Sequence, residues 1–288
     1  MNAVRVARAS SFAVLLPYAL CFACGGETRV TLLAPISAQA GGGAVSEAPA
    51  SAGARAAADA ATAPPSSAAH LIHRYSFDGQ GLRVVDSAGS ADGRLEGGAV
   101  LDGAGQVTLD GVDDYVNLPN GLLSGLRDAT LIAWLAWSGG PCWQRVFDFG
   151  STDAGEDVAG DATSSLFLTP KRCPGTGPAT SFTTTRNEFG SVDSDTPFPL
   201  LRFAVIAVVV DATNRQLRLY AAGEPLGTGV APSLARLSDE NDWLGRSQWV
   251  QDVYFLRGTY DEFRIYDVAL GDAELSALEA AGPNSFEP

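Results

Sequence analysis

Between residue 71 and the C-terminal region, this chain carries no long apolar stripe of period 3.6. Its apolar residues come in short runs instead: Ile72–Phe77, Gln106–Leu109, Tyr115–Leu118, Thr130–Trp137, Gln144–Phe149, Ser165–Leu168, Phe203–Val210, Gln216–Tyr220 and Asp261–Tyr266. Turn chemistry separates them, with DGVDD at 110–114, DATNR at 211–215 and AAGEP at 221–225, and each of these predicts a hairpin. QLRLY alternates, so Leu217 and Leu219 face one way and Gln216, Arg218 and Tyr220 the other. FAVIAVVV is apolar on both faces, as in a strand covered on both sides. Many short strands over about 200 residues predict an all-β fold, a two-sheet antiparallel jelly-roll sandwich. One short helix closes the chain. Asp272 is its expected cap, Glu274 suits the first turn, Leu275 and Leu278 share a face, and Gly282-Pro283 stops it.

The chain before residue 71 has another character. Arg5 and Arg8 precede SFAVLLPYALCFAC, an apolar stretch too short to span a bilayer as a helix. It ends in Ala23-Cys24-Gly25-Gly26, which resembles a bacterial lipoprotein processing site. On that resemblance residues 1–23 are a signal peptide and Cys24 is the lipid-modified first residue. Simple secretion, with cleavage after Ala38-Gln39-Ala40, is the alternative. Residues 24–70 lead to the head through a stretch of mostly Ala, Gly, Ser and Pro, which buries too little to offset the entropy of ordering. As a flexible tether, residues 27–70 span roughly 35–40 Å. Residues 71–284 are the folded head. The expected location is the outer membrane or cell surface, with a lipid anchor as the contact with the membrane. A secreted or periplasmic protein is the alternative.

Composition narrows the partners. The chain has 19 basic and 33 acidic residues, a net charge of −14, which argues against nucleic acid. His70 and His73 are its two histidines and sit beside the tether, so a zinc site or a Ser-His-Asp triad has little to build on. Cys142 and Cys173 are the two cysteines of the head. In an exported protein they predict a disulfide worth roughly 3–4 kcal/mol, with free buried thiols as the alternative.

HRYSFDGQ at 73–80, VTLDGVDDYVNLP at 107–119, ATLIAWLAWSG at 129–139, WLGRSQW at 243–249 and GTYDEFRIYDVALGDAEL at 258–275 occur in the order seen in laminin G-like, concanavalin A-like jelly-roll domains. The resemblance covers nearly all of 71–280. Where that family usually has a Trp-His pair before a Val-Ala-Val strand, this chain has Leu201-Arg202-Phe203-Ala204. The resemblance implies two antiparallel sheets, mostly non-catalytic binding roles and a frequent structural calcium ion. For the calcium it suggests Asp261 at the start of the last strand, with Asp78 and Asp92 as partners and Asp86 as a weaker third that shapes the turn. Glu262 and Asp267 are then expected to be solvated. Backbone hydrogen bonds across the first strand are the other use for Asp261.

Two stretches carry candidate ligand-binding residues. In GPCWQRVFDFG, read as a strand, Trp143, Arg145 and Phe147 point one way and Gln144, Val146 and Asp148 the other. Both faces mix polar with apolar. This suits either an aromatic platform with Arg145 and Asp148 hydrogen bonds for a glycan or peptide, or a buried Arg145–Asp pair with Trp143 as packing. GRSQWVQDVYF adds Arg246, Trp249 and Tyr254. A glycoside hydrolase needs two carboxylates flanking the sugar. The loop acids Glu188, Asp193, Asp195, Asp239, Glu240 and Asp242 lack the one-strand spacing of hydrolytic relatives. The leading expectation is a binding module for a glycan or a surface protein. A glycoside hydrolase of the same fold is the alternative.

Overall fold

A computed structural model describes residues 70–252 and 254–285. The export segment, Cys24 and the tether up to residue 69 lie outside the described residues. In chain order the strands are β1 (Leu71–Tyr75), β2 (Gln80–Gly81), β3 (Arg83–Val84), β4 (Gly93–Glu96), β5 (Leu101–Asp102), β6 (Val107–Asp110), β7 (Tyr115–Leu118), β8 (Ala129–Trp137) and β9 (Phe147–Thr152). They continue with β10 (Ala162–Thr169), β11 (Ala179–Thr183), β12 (Phe189–Asp193), β13 (Ala204–Asp211), β14 (Gln216–Ala221), β15 (Glu224–Val230), β16 (Asn241–Leu244) and β17 (Arg257–Tyr266), before helix α1 (Asp272–Ala281). One sheet has the order β15-β14-β13-β8-β17-β6-β5-β2, with β1 also paired to β17. The second runs β12-β11-β10-β9-β16-β7-β4-β3. This is the antiparallel two-sheet sandwich with a short C-terminal helix that the strand pattern predicts.

Alternation fixes which side chains enter the core. Ile206, Val208, Leu131, Leu135, Phe263 and Ile265 of the first sheet meet Phe147, Phe149, Leu166, Leu168, Val116 and Leu244 of the second. Each such burial is worth about 1.5–3 kcal/mol before entropy is charged against it. β13 is apolar on both sides because both sides are covered. Val205, Ala207 and Val209 face a second cluster with Leu275 and Leu278 of α1, on the outer side of the first sheet. Gly271 rather than Asp272 caps that helix, and Glu274 accepts the Gly271 N–H at 2.7 Å. Asp272 instead pairs with Arg218.

Several local expectations change. DATNR and AAGEP close hairpins, the latter through Ala222 (φ 52°) and Gly223 (φ 91°), the primed geometry that suits strand twist. DGVDD does not, because β6 and β7 belong to different sheets and 110–114 crosses between them. β9 begins at Phe147, not Gln144. Trp143 takes φ 66°, which breaks the alternation before the strand starts. Phe147 therefore turns into the core while Trp143 and Arg145 stay on the outer side. The edge strands β12 and β15 carry glycine where they meet. A side chain at Gly190 would strike the Val230 carbonyl, and one at Gly229 the Ser191 carbonyl. That close approach joins the two sheets along one margin.

The chain enters at one end of the sandwich, where Leu71 pairs with Tyr266. Trp137, next to Gly258 and Leu200, lies at the other end. The connections 138–146, 170–178, 194–203 and 245–256 gather at this second end.

Candidate functional site

The outer face of the second sheet presents Asp148 from β9, Phe167 from β10 and Trp243 from β16, since their neighbours Phe149, Leu168 and Leu244 point into the core. The segment 245–252 lies across this face. Gln248 fastens it there: its N–H donates to Asp148 Oδ2 at 3.0 Å, and its side-chain amide donates to the Asp148 and Asn241 carbonyls at 3.1 and 2.8 Å. That brings Trp249 against Phe167, edge to face with centroids 5.6 Å apart. Trp143, carried by the turn before β9, meets the same ring at 6.4 Å. The disulfide Cys142–Cys173, with Cα atoms 5.7 Å apart, ties that turn to the 170–178 connection.

Arg145 is the centre of the cluster and only 2% exposed. Its guanidinium carbon lies 4.1 Å from the Phe167 centroid, 5.5 Å from Trp249 and 6.0 Å from Trp143. Each of its three nitrogens has an acceptor. Nε donates to Asp148 Oδ2 at 3.1 Å, Nη1 to the Trp143 carbonyl at 2.6 Å and Nη2 to Asp252. Burial pushes the Asp148 carboxyl up to about 6, against the pull of Arg145 and the Gln248 N–H. Above the guanidinium is a shallow depression of about 240 Å³ lined by Trp143, Arg145, Phe167, Trp249, Gln251 and Asp252. Both tryptophans are partly exposed in it. The buried Arg145–Asp148 pair of the second reading is present, and Trp143 packs on Phe167 with part of its surface exposed.

Four of the six expected ligand residues, Trp143, Arg145, Asp148 and Trp249, come together here. Arg246 does not join them. It stacks on Trp243 and Tyr115, 4.0 and 4.7 Å from their centroids, further along the same face. Tyr254 is exposed and outside the lining. Phe167 and Asp252 were missing from the expected set. Phe167 was legible, because Leu166 and Leu168 facing inward force it outward. Asp252 reaches Arg145 across 107 positions, and nothing local marks it.

The three acids expected at a calcium ion are not gathered as one set. Asp92 accepts the Asp86 N–H and pairs with Arg83. Asp78 accepts the Ser76 hydroxyl at 2.7 Å and lies beside Gly105, while Asp261 accepts from Gln106 at 3.0 Å. Asp261 is the extra residue of a bulge in β17, and its Oδ1 is buried with no hydrogen-bond partner. Asp78 lies beside Gly105, and Asp261 meets the end of the Gln106 side chain. Asp92 is committed to Arg83. Among the described residues, three acids with oxygens within 4.8 Å of one another occur at Asp110, Asp113 and Asp114. Asp86 shapes a turn, accepting the N–H groups of Arg74, Ala88, Gly89 and Ala91. Asp267 is exposed as expected. Glu262 is not: it is fully buried and paired with Arg74 and Arg264, because α1 and the residues after it cover its face of the sheet.

A family model for the concanavalin A-like lectin/glucanases superfamily, of laminin G type, matches residues 110–276. The chain belongs to this superfamily. It is similar in structure to domain 4 of AbnA, a GH43 extracellular arabinanase from Geobacillus stearothermophilus, in complex with arabinotriose. The identity is 21% and the TM-score 0.57, covering 73% of this chain and 98% of that one. It is also similar to the receptor binding domain of botulinum neurotoxin mosaic serotype C/D, at 16% identity and TM-score 0.52, covering 75% of this chain and 52% of that one. A botulinum neurotoxin type C structure, whose cell entry depends on two ganglioside molecules, aligns at 11% identity and TM-score 0.54, over 74% and 51%. At these identities the likeness is one of fold. No curated protein matches the chain.

Proposed function

We propose that the head is a non-catalytic carbohydrate-binding module displayed at a bacterial cell envelope. One observation carries this reading: Trp143 and Trp249 stand partly exposed around a buried, ion-paired Arg145. Sugar rings have apolar C–H faces that stack on such indoles, while rim amides and carboxylates take the hydroxyls. Hydrolysis is disfavoured by where the carboxylates lie. Asp148 and Asp252 are both locked on one guanidinium, and Asp242, whose carboxyl burial also raises, pairs across from Phe149 on the core side of the sheet. Asp148 and Asp242 are fully buried, so neither is open to a sugar. Binding of the full chain to a glycan array, with an activity screen on the polysaccharides that score, tests the reading. Binding without turnover supports it. Turnover returns the glycoside hydrolase reading, and no binding removes both.

Anchoring through Cys24 belongs to the same proposal. Within the head, the first strand begins at the opposite end of the sandwich from Trp137. A Cys24→Ser variant that stays membrane-bound and lipid-labelled would refute the anchor. A structural calcium ion at Asp261 is supported by its unpartnered buried oxygen. Thermal unfolding that is the same with calcium and with chelator would remove it.

A further inference from the structure

The exposed charge at the depression is the carboxylate of Asp252, since Arg145 is 2% exposed. Arg145 is the one cation in its lining, and two carboxylates, Asp148 and Asp252, are bound to it. Gln251 donates one amide N–H to Asp161 at 2.9 Å, which sets a further acid at the margin. A guanidinium with free, paired donors favours recognition of an anionic sugar. Here Nε, Nη1 and Nη2 each have an acceptor already, and Phe167 covers the guanidinium. An incoming carboxylate would meet Asp252, the rim acid, whose side chain is 25% exposed. A neutral sugar meets no such conflict. Its hydroxyls donate to the outer lone pairs of Asp252 and its C–H face rests on the indoles.

We propose that the site selects uncharged glycans over acidic ones, and that Asp252 is the residue that sets the selection. The inference rests on the carbohydrate-binding reading above and adds to it the class of sugar. Asp252 does two things here. It occupies the outermost guanidinium nitrogen, and it places a negative charge where a uronate or sialate carboxylate would approach. Like charges brought together in a recognition site weaken binding strongly.

The test uses matched oligosaccharides that differ in one group, a neutral sugar and its C6-carboxylate counterpart, titrated against the full chain. The wild type is expected to bind the neutral member at least about tenfold more tightly, with the gap narrowing as salt screens the repulsion. Asp252→Asn, checked for an intact melting transition, is expected to shrink the neutral-to-acidic ratio by about tenfold. Equal or tighter wild-type binding of the acidic member overturns the inference and leaves the binding module standing. A ratio unchanged in Asp252→Asn overturns the role of Asp252. Failure to bind either member overturns the inference together with the reading beneath it.

Discussion

The guanidinium of Arg74 on the first strand grips the carboxylate of Glu262 on the last, Nε to Oε1 at 2.8 Å and Nη2 to Oε2 at 2.7 Å. Arg264 donates to the same carboxylate, and the face is closed by α1 and the Pro283 carbonyl. Replacing Glu262 with Gln removes the one buried negative charge that Arg74 and Arg264 share. A loss of about 3–5 kcal/mol is expected in chemical denaturation. A change under about 1 kcal/mol would mean that the network does not hold the termini together.

Asp86 yields a pH-dependent prediction. Burial alone would raise its carboxyl, but hydrogen bonds from His73 and from the N–H groups of Arg74, Gly89 and Ala91 outweigh it and hold it below 3.8. A depressed folded value stabilises the fold above the unfolded value and loses that contribution as pH falls through the folded one. At neutral pH, Asp86→Asn is expected to cost about 2 kcal/mol. The gap between wild type and variant should close as acid denaturation series pass below about pH 3.8.

Asp148 gives the opposite slope. Its folded carboxyl, at about 6, lies above the unfolded 3.8. Its contribution is therefore complete below the unfolded value and lost as pH rises through about 6, on the order of 3 kcal/mol in total. Wild-type stability measured against Asp148→Asn should decline across that interval and level off above it. A flat difference would mean that Arg145 fully offsets the burial.

The disulfide closes a loop of sequence separation 31 next to Trp143. Replacing both cysteines with serine is expected to cost roughly 3–4 kcal/mol by the chain-entropy account. It should also weaken glycan binding, because the turn that presents Trp143 loses its tie. Peptide mass mapping without reductant checks the bond, and a binding titration checks its consequence.

The sequence made the sandwich readable wherever a strand's two faces had different fates or were both apolar. β14 and β13 are the clearest cases, and Leu275 with Leu278 marked the helix face. It misled where burial came from a distant segment. The alternation around Phe263 and Ile265 puts Glu262 on the outer face, as observed, but only the folded chain brings α1 and residues 283–285 over it. The short strands β2, β3 and β5 are too brief for any period to show. In the site, Trp143, Arg145, Asp148 and Trp249 stood out because polar and aromatic residues interrupt apolar runs. Their grouping depends on Gln248 pinning one loop across another strand, a relationship between residues 100 positions apart.

The central claim, a glycan seated on Trp143 and Trp249, is tested most directly by tryptophan fluorescence of the full chain titrated with neutral oligosaccharides. Single Trp143→Ala and Trp249→Ala variants are compared with Tyr254→Ala, which lies outside the lining. The account predicts a saturable change in the wild type. Each tryptophan variant should lose about tenfold or more in affinity, in the range of 1–3 kcal/mol for a stacked ring, and Tyr254→Ala should bind as the wild type does. Saturable binding that survives loss of both tryptophans with the fold intact would contradict it.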